Sequence, residues 1–132
     1  MFNFVKQNGD IKTSISSSDK GFKIEKGVDI ISLYVGLTDK DENRQLITKE
    51  VAKEVLKTIC ITKNMGYTIY EAEGAHKDTL NILHTEATLV LELDDLGKEE
   101  LMKISDEICN RLNIQSIFIV KKKGESYYHF FK

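Results

Sequence analysis

The chain lacks the short motifs that identify common classes of enzyme. It has no Gly-x-x-x-x-Gly-Lys phosphate-binding loop, and its three histidines do not stand at the short spacings from other ligands that mark a transition-metal site. Its two cysteines, Cys60 and Cys109, fall on the apolar stripes of two predicted helices, which indicates buried core residues and not nucleophiles paired with histidine. These absences predict a protein that is not an enzyme and that needs no cofactor and no metal.

A strong charge of one sign and long apolar runs are absent too. The formal net charge of the 132 residues is -2, so nothing in the composition requires a nucleic acid or an anionic membrane as partner. The longest apolar stretches have the length of a strand, and no signal peptide stands at the start. We therefore expect a cytoplasmic protein that binds neither nucleic acid nor membrane.

Hydrophobic periodicity divides residues 30–120 into strand, helix, strand, strand, helix and strand. This order predicts an α+β fold, the ferredoxin-like βαββαβ plait. The strands are predicted at residues 30–36, 67–72, 86–93 and 116–120, with one helix capped by Thr48 and another capped by Asp94 or Asp95.

Two segments lie outside this core. Asn8-Gly9 stands between two alternating runs, a strong signal for a β-hairpin, and a polar stretch follows it. We therefore predict that residues 1–29 form an N-terminal hairpin and linker and that residues 30–132 form the plait domain. Residues 126–131 are rich in aromatic side chains and predict a C-terminal fifth strand.

The two helices of a plait cover one face of the sheet and leave the other bare. Alternation along the predicted strands puts Tyr34, Tyr70, Val90 and Phe118 on the bare face. So much exposed apolar surface is unusual for a monomer, which favours a homo-oligomer formed through this face. The alternative is that the N-terminal hairpin or the C-terminal strand covers it.

The predicted connection 73–85 is the longest between two core strands, and a compact domain rarely keeps so long a loop without a use. Leu80, Ile82 and Leu83 give it apolar side chains, which indicate binding more than solvation. We predict that it holds a small anionic or nucleotide-like ligand, or else packs back on the sheet or forms a helical turn. The predicted binding residues are Glu73, His76, Lys77 and His84.

Residues 66–74 carry Gly66, Thr68, Glu71 and Gly74, which resemble the second strand of the nitrogen-regulatory PII-like superfamily, and residues 116–120 are similar to its fourth strand. The resemblance implies a trimer with ligands in clefts between subunits. Residues 33–37 also resemble the start of small uncharacterised plait proteins of bacteria and phages, which carry no known activity.

Three functions follow from these observations. The first is a non-catalytic oligomeric module that binds its ligand near the 73–85 loop. The second is a phage or mobile-element accessory protein that binds and inhibits a host protein. The third is a small plait-fold enzyme with acid–base chemistry in a cleft. RNA binding is disfavoured, because the predicted strand 86–93 offers no aromatic and no basic residue for stacking on bases.

Overall fold

The computed structural model describes residues 22–27, 29–77, 79–124 and 126–130, and the chain divides into two compact units. In the first unit, β1 (Phe22–Lys26) pairs antiparallel with β6 (Ser126–Phe130). Strand β1 lies within residues 1–29, where the sequence predicts no strand beyond the hairpin. The predicted hairpin at Asn8-Gly9 lies outside the described residues, and the division of the chain at residue 30 stays a prediction.

The second unit, Ile31–Val120, holds two helices and a four-stranded sheet. The elements are β2 (Ile30–Gly36), α1 (Lys49–Thr62), β3 (Tyr67–Lys77), β4 (Leu83–Asp94), α2 (Lys98–Leu112) and β5 (Phe118–Lys122). The strands lie side by side in the order β3-β4-β2-β5, with β3 and β4 antiparallel. The predicted α+β class is confirmed. No helix among the described residues is long and apolar enough to cross a membrane.

One face of this sheet packs against the helices. Alternate residues of the two central strands are completely buried there, among them Leu33, Val35, Leu89 and Leu91. Both helices contribute an apolar stripe to the same core, as their spacing predicts. Leu56, Ile59, Ile104 and Ile108 are among its fully or nearly fully buried members. Burying each such side chain contributes about 1.5–3 kcal/mol to folding.

The two helices begin differently. Thr48 caps α1 as predicted, because its hydroxyl oxygen accepts a hydrogen bond from the Val51 N–H at 3.1 Å. The predicted Asp94 or Asp95 cap of α2 is wrong, since Gly97 is the N-cap and makes no side-chain hydrogen bond. The helix starts later because β4 continues to Asp94 and the following Leu96 packs against the core.

Residues 73–85 are not the irregular loop that their sequence predicts. Strand β3 runs on to Lys77 and β4 begins at Leu83, so the two strands pair along this stretch and only residues 78–82 connect them. His76 lies opposite His84 in the register. Antiparallel pairing satisfies the backbone N–H and C=O groups without an apolar face, which explains why hydrophobic periodicity did not reveal these strands. We call residues 73–85 the hairpin extension.

Candidate functional site

A cleft of about 610 Å³ opens on the face of the sheet that the helices leave uncovered. Its floor consists of residues from β2, β4 and β5 near the point where β2 ends: Tyr34 and Gly36, Glu86 and Thr88, and Phe118. Two loops form its walls, one following β2 and one preceding β5. Side chains from three strands and two loops therefore converge on one depression.

Glu86 brings a negative charge into this cleft. A side chain at Gly36 would overlap the Glu86 carboxylate, and on the other side Gly74 of β3 lies opposite Glu86 in the register. The carboxylate thus occupies space that is free because β2 carries glycine at position 36. The backbone N–H of Thr38 donates a hydrogen bond to Glu86 Oε2 at 3.3 Å, which fixes one of its oxygens.

Tyr34 and Phe118 lie side by side on adjacent strands. Their ring centroids are 5.8 Å apart and the rings are tilted by 50°, within the range that aromatic pairs prefer. Phe118 is 68% exposed although it is a large apolar side chain. An exposed ring next to a second ring provides a surface on which a planar base or a cation can stack.

The loop after β2 forms a polar wall around Asp39, which is only 8% exposed. Asp39 Oδ2 accepts hydrogen bonds from the backbone N–H groups of Asp41 and Glu42, both at 3.0 Å. Asp39 Oδ1 accepts one from the Asn113 side-chain amide at 2.8 Å. The hydrogen bond from Asn113, followed by the one from Glu42, lowers the pKa of Asp39. Asp39 is therefore ionised at neutral pH, and its role is to hold the loop.

The cleft suits a ligand that combines a planar ring with a positive charge, because it offers two aromatic rings and a carboxylate. A cysteine nucleophile is not available, since burial raises the pKa of both Cys60 and Cys109 and keeps the thiols protonated at neutral pH. Among the described residues, no group of three or more His, Cys, Asp and Glu side chains could hold a metal ion.

The residues predicted to bind a ligand lie elsewhere. Glu73, Lys77 and His84 are exposed on the hairpin extension and do not line the cleft, and His76 occupies the register position opposite His84. No observation tests whether they bind anything, so that role stays a prediction.

The predicted interface residues are divided. Tyr70 is 42% exposed and Phe118 more so, Tyr34 is half-buried, and Val90 is completely buried and cannot offer surface to a partner. Tyr70 also has an internal role, because its hydroxyl donates a hydrogen bond to Glu92 Oε2 at 3.3 Å. Two of the four residues, Tyr34 and Phe118, instead line the cleft.

Sequence reasoning missed Gly36 and Glu86 as site residues. Glu86 has the same parity as Val90 and therefore faces away from the core, and Gly36 ends the neighbouring strand. A charged residue on the uncovered face of a central strand, beside a glycine, was the available signal. The sequence alone does not reveal this signal, because Gly36 and Glu86 are neighbours only once the order of the strands in the sheet is known.

No protein-family description matches the chain, and no curated protein matches it by sequence. Solved structures do match its fold. A phage SAM lyase in complex with S-methyl-5'-thioadenosine is 15% identical, with a TM-score of 0.53 over 80% of this chain and 92% of that chain. A phage SAM lyase in the apo state is 16% identical, with a TM-score of 0.55 over 80% of this chain and 91% of that chain.

These similarities correct the functional prediction. Both solved structures that share the fold are of an enzyme, a phage SAM lyase. This finding contradicts the prediction of a non-catalytic binding module and the prediction that the chain is not an enzyme. Of the three predicted functions, the small enzyme fits the comparison best. The neighbours are phage proteins, in line with the resemblance to phage proteins, whereas membership of the PII-like superfamily is not confirmed.

Proposed function

We propose that the chain is a lyase that cleaves S-adenosylmethionine (SAM) in the cleft of the uncovered sheet face. The observation that carries this proposal is the combination of an exposed aromatic ring and a carboxylate in one cleft, on a fold similar to that of a phage SAM lyase. Similarity of fold alone does not give a function, so the argument depends on the chemistry of the cleft.

SAM has the two features that this cleft accommodates. Its adenine is planar and stacks on an aromatic ring such as Phe118, which contributes about 1–3 kcal/mol per base. Its sulfonium carries a positive charge, which both an aromatic face and the Glu86 carboxylate attract. A cavity of about 610 Å³ is within the range of ligand sites for molecules of this size.

The reaction requires no oxidant and no second substrate. The bond between the sulfonium sulfur and the γ carbon of the amino-acid part breaks, and the sulfur keeps the electron pair and becomes the neutral thioether of S-methyl-5'-thioadenosine. In one route, an oxygen of the substrate's own carboxylate attacks the γ carbon, which gives a lactone. In the other route, a base removes a β proton, which gives an alkene. Both routes balance, and the two organic products are isomers.

The assigned role of Glu86 is to hold the sulfonium group. Gly36 leaves the space that the carboxylate occupies, and the Thr38 N–H orients it. The aromatic pair gives the cleft an apolar floor, where the attraction between opposite charges is stronger than in water.

We also propose that Ile31–Val120 is a ferredoxin-like plait. The order β3-β4-β2-β5 supports this, because the first and third core strands lie in the centre of the sheet and the second and fourth at its edges. The plait is shared by PII-like proteins and by many others, so it does not by itself favour that superfamily. Its value here is that the two central strands carry Tyr34, Gly36 and Glu86.

The decisive experiment is incubation of the purified protein with SAM and chromatography of the products. We expect S-methyl-5'-thioadenosine to appear as SAM disappears. Glu86→Gln should lower kcat/KM about 100-fold, because a neutral amide does not attract the sulfonium. The matched control is Glu100→Gln, an exposed glutamate of α2, which should change kcat/KM less than about twofold. Absence of product with wild-type protein overturns the proposal, and full activity of Glu86→Gln overturns the role of Glu86.

Deuterium at the β carbon of SAM separates the two routes. A lactone retains both deuterium atoms, whereas an alkene loses one to the base. If the alkene forms, Glu86 is the carboxylate placed to accept the proton, and its Gln variant should lose kcat more than it raises KM.

A further inference from the structure

We infer that Asn113, which touches none of the proposed reacting atoms, is a positioning residue for Glu86 and acts through the loop after β2. For its effect on activity this inference rests on the proposed function. The hydrogen bonds that carry it run from the end of α2 to Glu86 on β4 in three steps.

The first step joins the end of α2 to the loop. Asn113 follows the last residue of the helix and has a left-handed backbone, with φ 54°. Its side-chain amide donates to Asp39 Oδ1 at 2.8 Å and to Asp41 Oδ2 at 3.0 Å, while its carbonyl oxygen accepts from the Lys40 N–H at 2.9 Å. One residue thus holds three consecutive residues of the loop.

The second step makes the loop rigid around Asp39. The Asp39 N–H donates to the Arg44 carbonyl and the Asn43 N–H donates to the Asp39 carbonyl, both at 2.9 Å. The Asp39 carboxylate adds the two backbone bonds to Asp41 and Glu42. Every polar group that Asp39 carries is therefore engaged, so a displacement of its side chain displaces the whole turn.

The third step reaches the cleft. Thr38 precedes Asp39, forms a β-bridge with Gln45 on the far side of the turn, and donates its N–H to Glu86 Oε2 at 3.3 Å. The position of Thr38 follows from that of the turn, and the orientation of the carboxylate follows from Thr38. An error of about 1 Å in such a group costs an enzyme about 100-fold in rate.

A purely structural role for Asn113 makes a different prediction. As the C-cap of α2 it needs a left-handed backbone and an N–H that bonds the Cys109 carbonyl. Glycine provides both, and provides the left-handed backbone at lower cost. Asn113→Gly therefore keeps the cap and removes only the side-chain amide that reaches Asp39 and Asp41.

Asn64 offers a matched control. It stands just beyond the end of α1, also has a left-handed backbone, with φ 55°, and bonds the Ile61 carbonyl through its own N–H. Asn64→Gly makes the same chemical change after the other helix, away from the turn that holds Asp39. A second variant, Asp39→Asn, keeps one oxygen for the Asp41 and Glu42 N–H groups but turns an N–H group toward the Asn113 amide. It breaks the same link from the other side.

The test combines amide NMR with kinetics. Glu86→Gln should shift the wild-type Thr38 amide resonance, because it replaces the carboxylate that accepts the Thr38 N–H. Made in an Asn113→Gly or an Asp39→Asn background, the same substitution should shift that resonance by about half as much or less. By themselves, Asn113→Gly and Asp39→Asn should lower kcat about tenfold with KM changed less. Asn64→Gly should leave both unchanged.

A Thr38 amide that responds to Glu86→Gln equally in the wild-type, Asn113→Gly and Asp39→Asn backgrounds overturns the inference, even if activity falls. If the wild type does not cleave SAM, the proposed function fails, while the NMR comparison still decides whether Asn113 positions Glu86. Loss of the Thr38 response in the Asn64→Gly control would also overturn the inference, because the effect would then not be specific to Asn113.

Discussion

The two faces of the four-stranded sheet are made by the same strands but differ in what they bury. Toward the helices, Leu33, Val35 and Leu89 are completely buried and purely apolar. On the other face, their neighbours along the chain include Tyr34 and Thr88, which line the cleft. Because side chains alternate between the two faces of a strand, one set of residues stabilises the fold and the other set is available for chemistry.

The face that the helices leave uncovered, here called the open face, is nevertheless not an ordinary solvent-exposed surface. Ser32 is completely buried there, and its hydroxyl lies 3.4 Å from Glu92 Oε2, which also accepts the Tyr70 hydroxyl. Burial raises the pKa of Tyr70, and the charge of Glu92 and the hydrogen bond to it raise that pKa further. Hydrogen bonds between specific side chains thus help to hold this face, whereas packing of apolar side chains holds the centre of the helix face.

The largest effect we expect is a difference in the free energy of unfolding between substitutions at two adjacent residues, one on each face. Leu89→Ala should lower the free energy of unfolding by about 2–5 kcal/mol, because it removes a fully buried side chain and leaves a cavity. Thr88→Ala should cost about 1 kcal/mol, because it removes little apolar area and one hydrogen bond to the Glu86 carbonyl at 3.3 Å. Urea denaturation of both variants measures the difference.

Both variants should keep the wild-type dependence of stability on urea, which shows that the change lies in the folded state. Equal losses at the two positions would mean that the open face is packed as tightly as the core. The contrast between the faces would then be wrong.

Hydrophobic spacing predicts correctly the elements that bury one apolar face against the core. Leu56 and Ile59 of α1 and Ile104 and Ile108 of α2 repeat at helical spacing and are buried as expected. The hairpin extension escaped prediction because pairing between backbones stabilises it, and backbone pairing leaves no periodic apolar signal. Strand β1 escaped for a related reason, since its partner β6 lies about one hundred residues away in the chain.

The cleft was harder to predict than the fold. Gly36 and Glu86 are 50 positions apart and become neighbours only because β2 and β4 are adjacent in the sheet. Asp39 and Asn113 are separated by 74 positions, and the polar stretch 38–44 gives no sign that a helix end would bind it. Sites built from several elements depend on the topology, which short sequence patterns do not contain.

The second largest effect concerns association of copies of the chain through the open face. This association is predicted from the sequence and stays a prediction. The sharpest variant is Tyr70→Lys, since an ammonium group can pair with Glu92 within one chain but is unfavourable in an apolar interface. If copies associate there, Tyr70→Lys should weaken association about tenfold or more, equal to about 1.4 kcal/mol, while the folded chain stays intact. Sedimentation over a range of concentrations measures it.

Met102→Lys is the control, because Met102 is 62% exposed on α2, outside the sheet. It should leave association unchanged. A wild-type chain that sediments as a monomer at tens of micromolar would show that the open face serves the cleft alone. An oligomer unaffected by Tyr70→Lys would place the interface on another surface.

The smallest effect concerns a charge at the border of the helix face. Glu71 of the edge strand β3 has the parity of the core residues, yet it is 45% exposed and lies between two lysines of α1. Its Oε2 is 3.2 Å from Lys53 Nζ and its Oε1 is 3.4 Å from Lys49 Nζ. The hydrogen bond from Lys53, then that from Lys49, lowers the pKa of Glu71.

A carboxyl group whose pKa is lower in the folded chain stabilises the fold above its unfolded pKa, and this contribution is lost as the pH falls through the folded pKa. Glu71→Gln should therefore lower the urea midpoint slightly at pH 7, and the loss should shrink as the pH falls below 4.5, the ordinary pKa of the group. Salt at 0.5 M should reduce the effect at pH 7 because exposed ion pairs are screened. A loss for Glu71→Gln that is as large as that for Leu89→Ala, or that does not shrink in acid, would mean that packing and not charge holds this edge. The helix face would then extend to the border of the sheet.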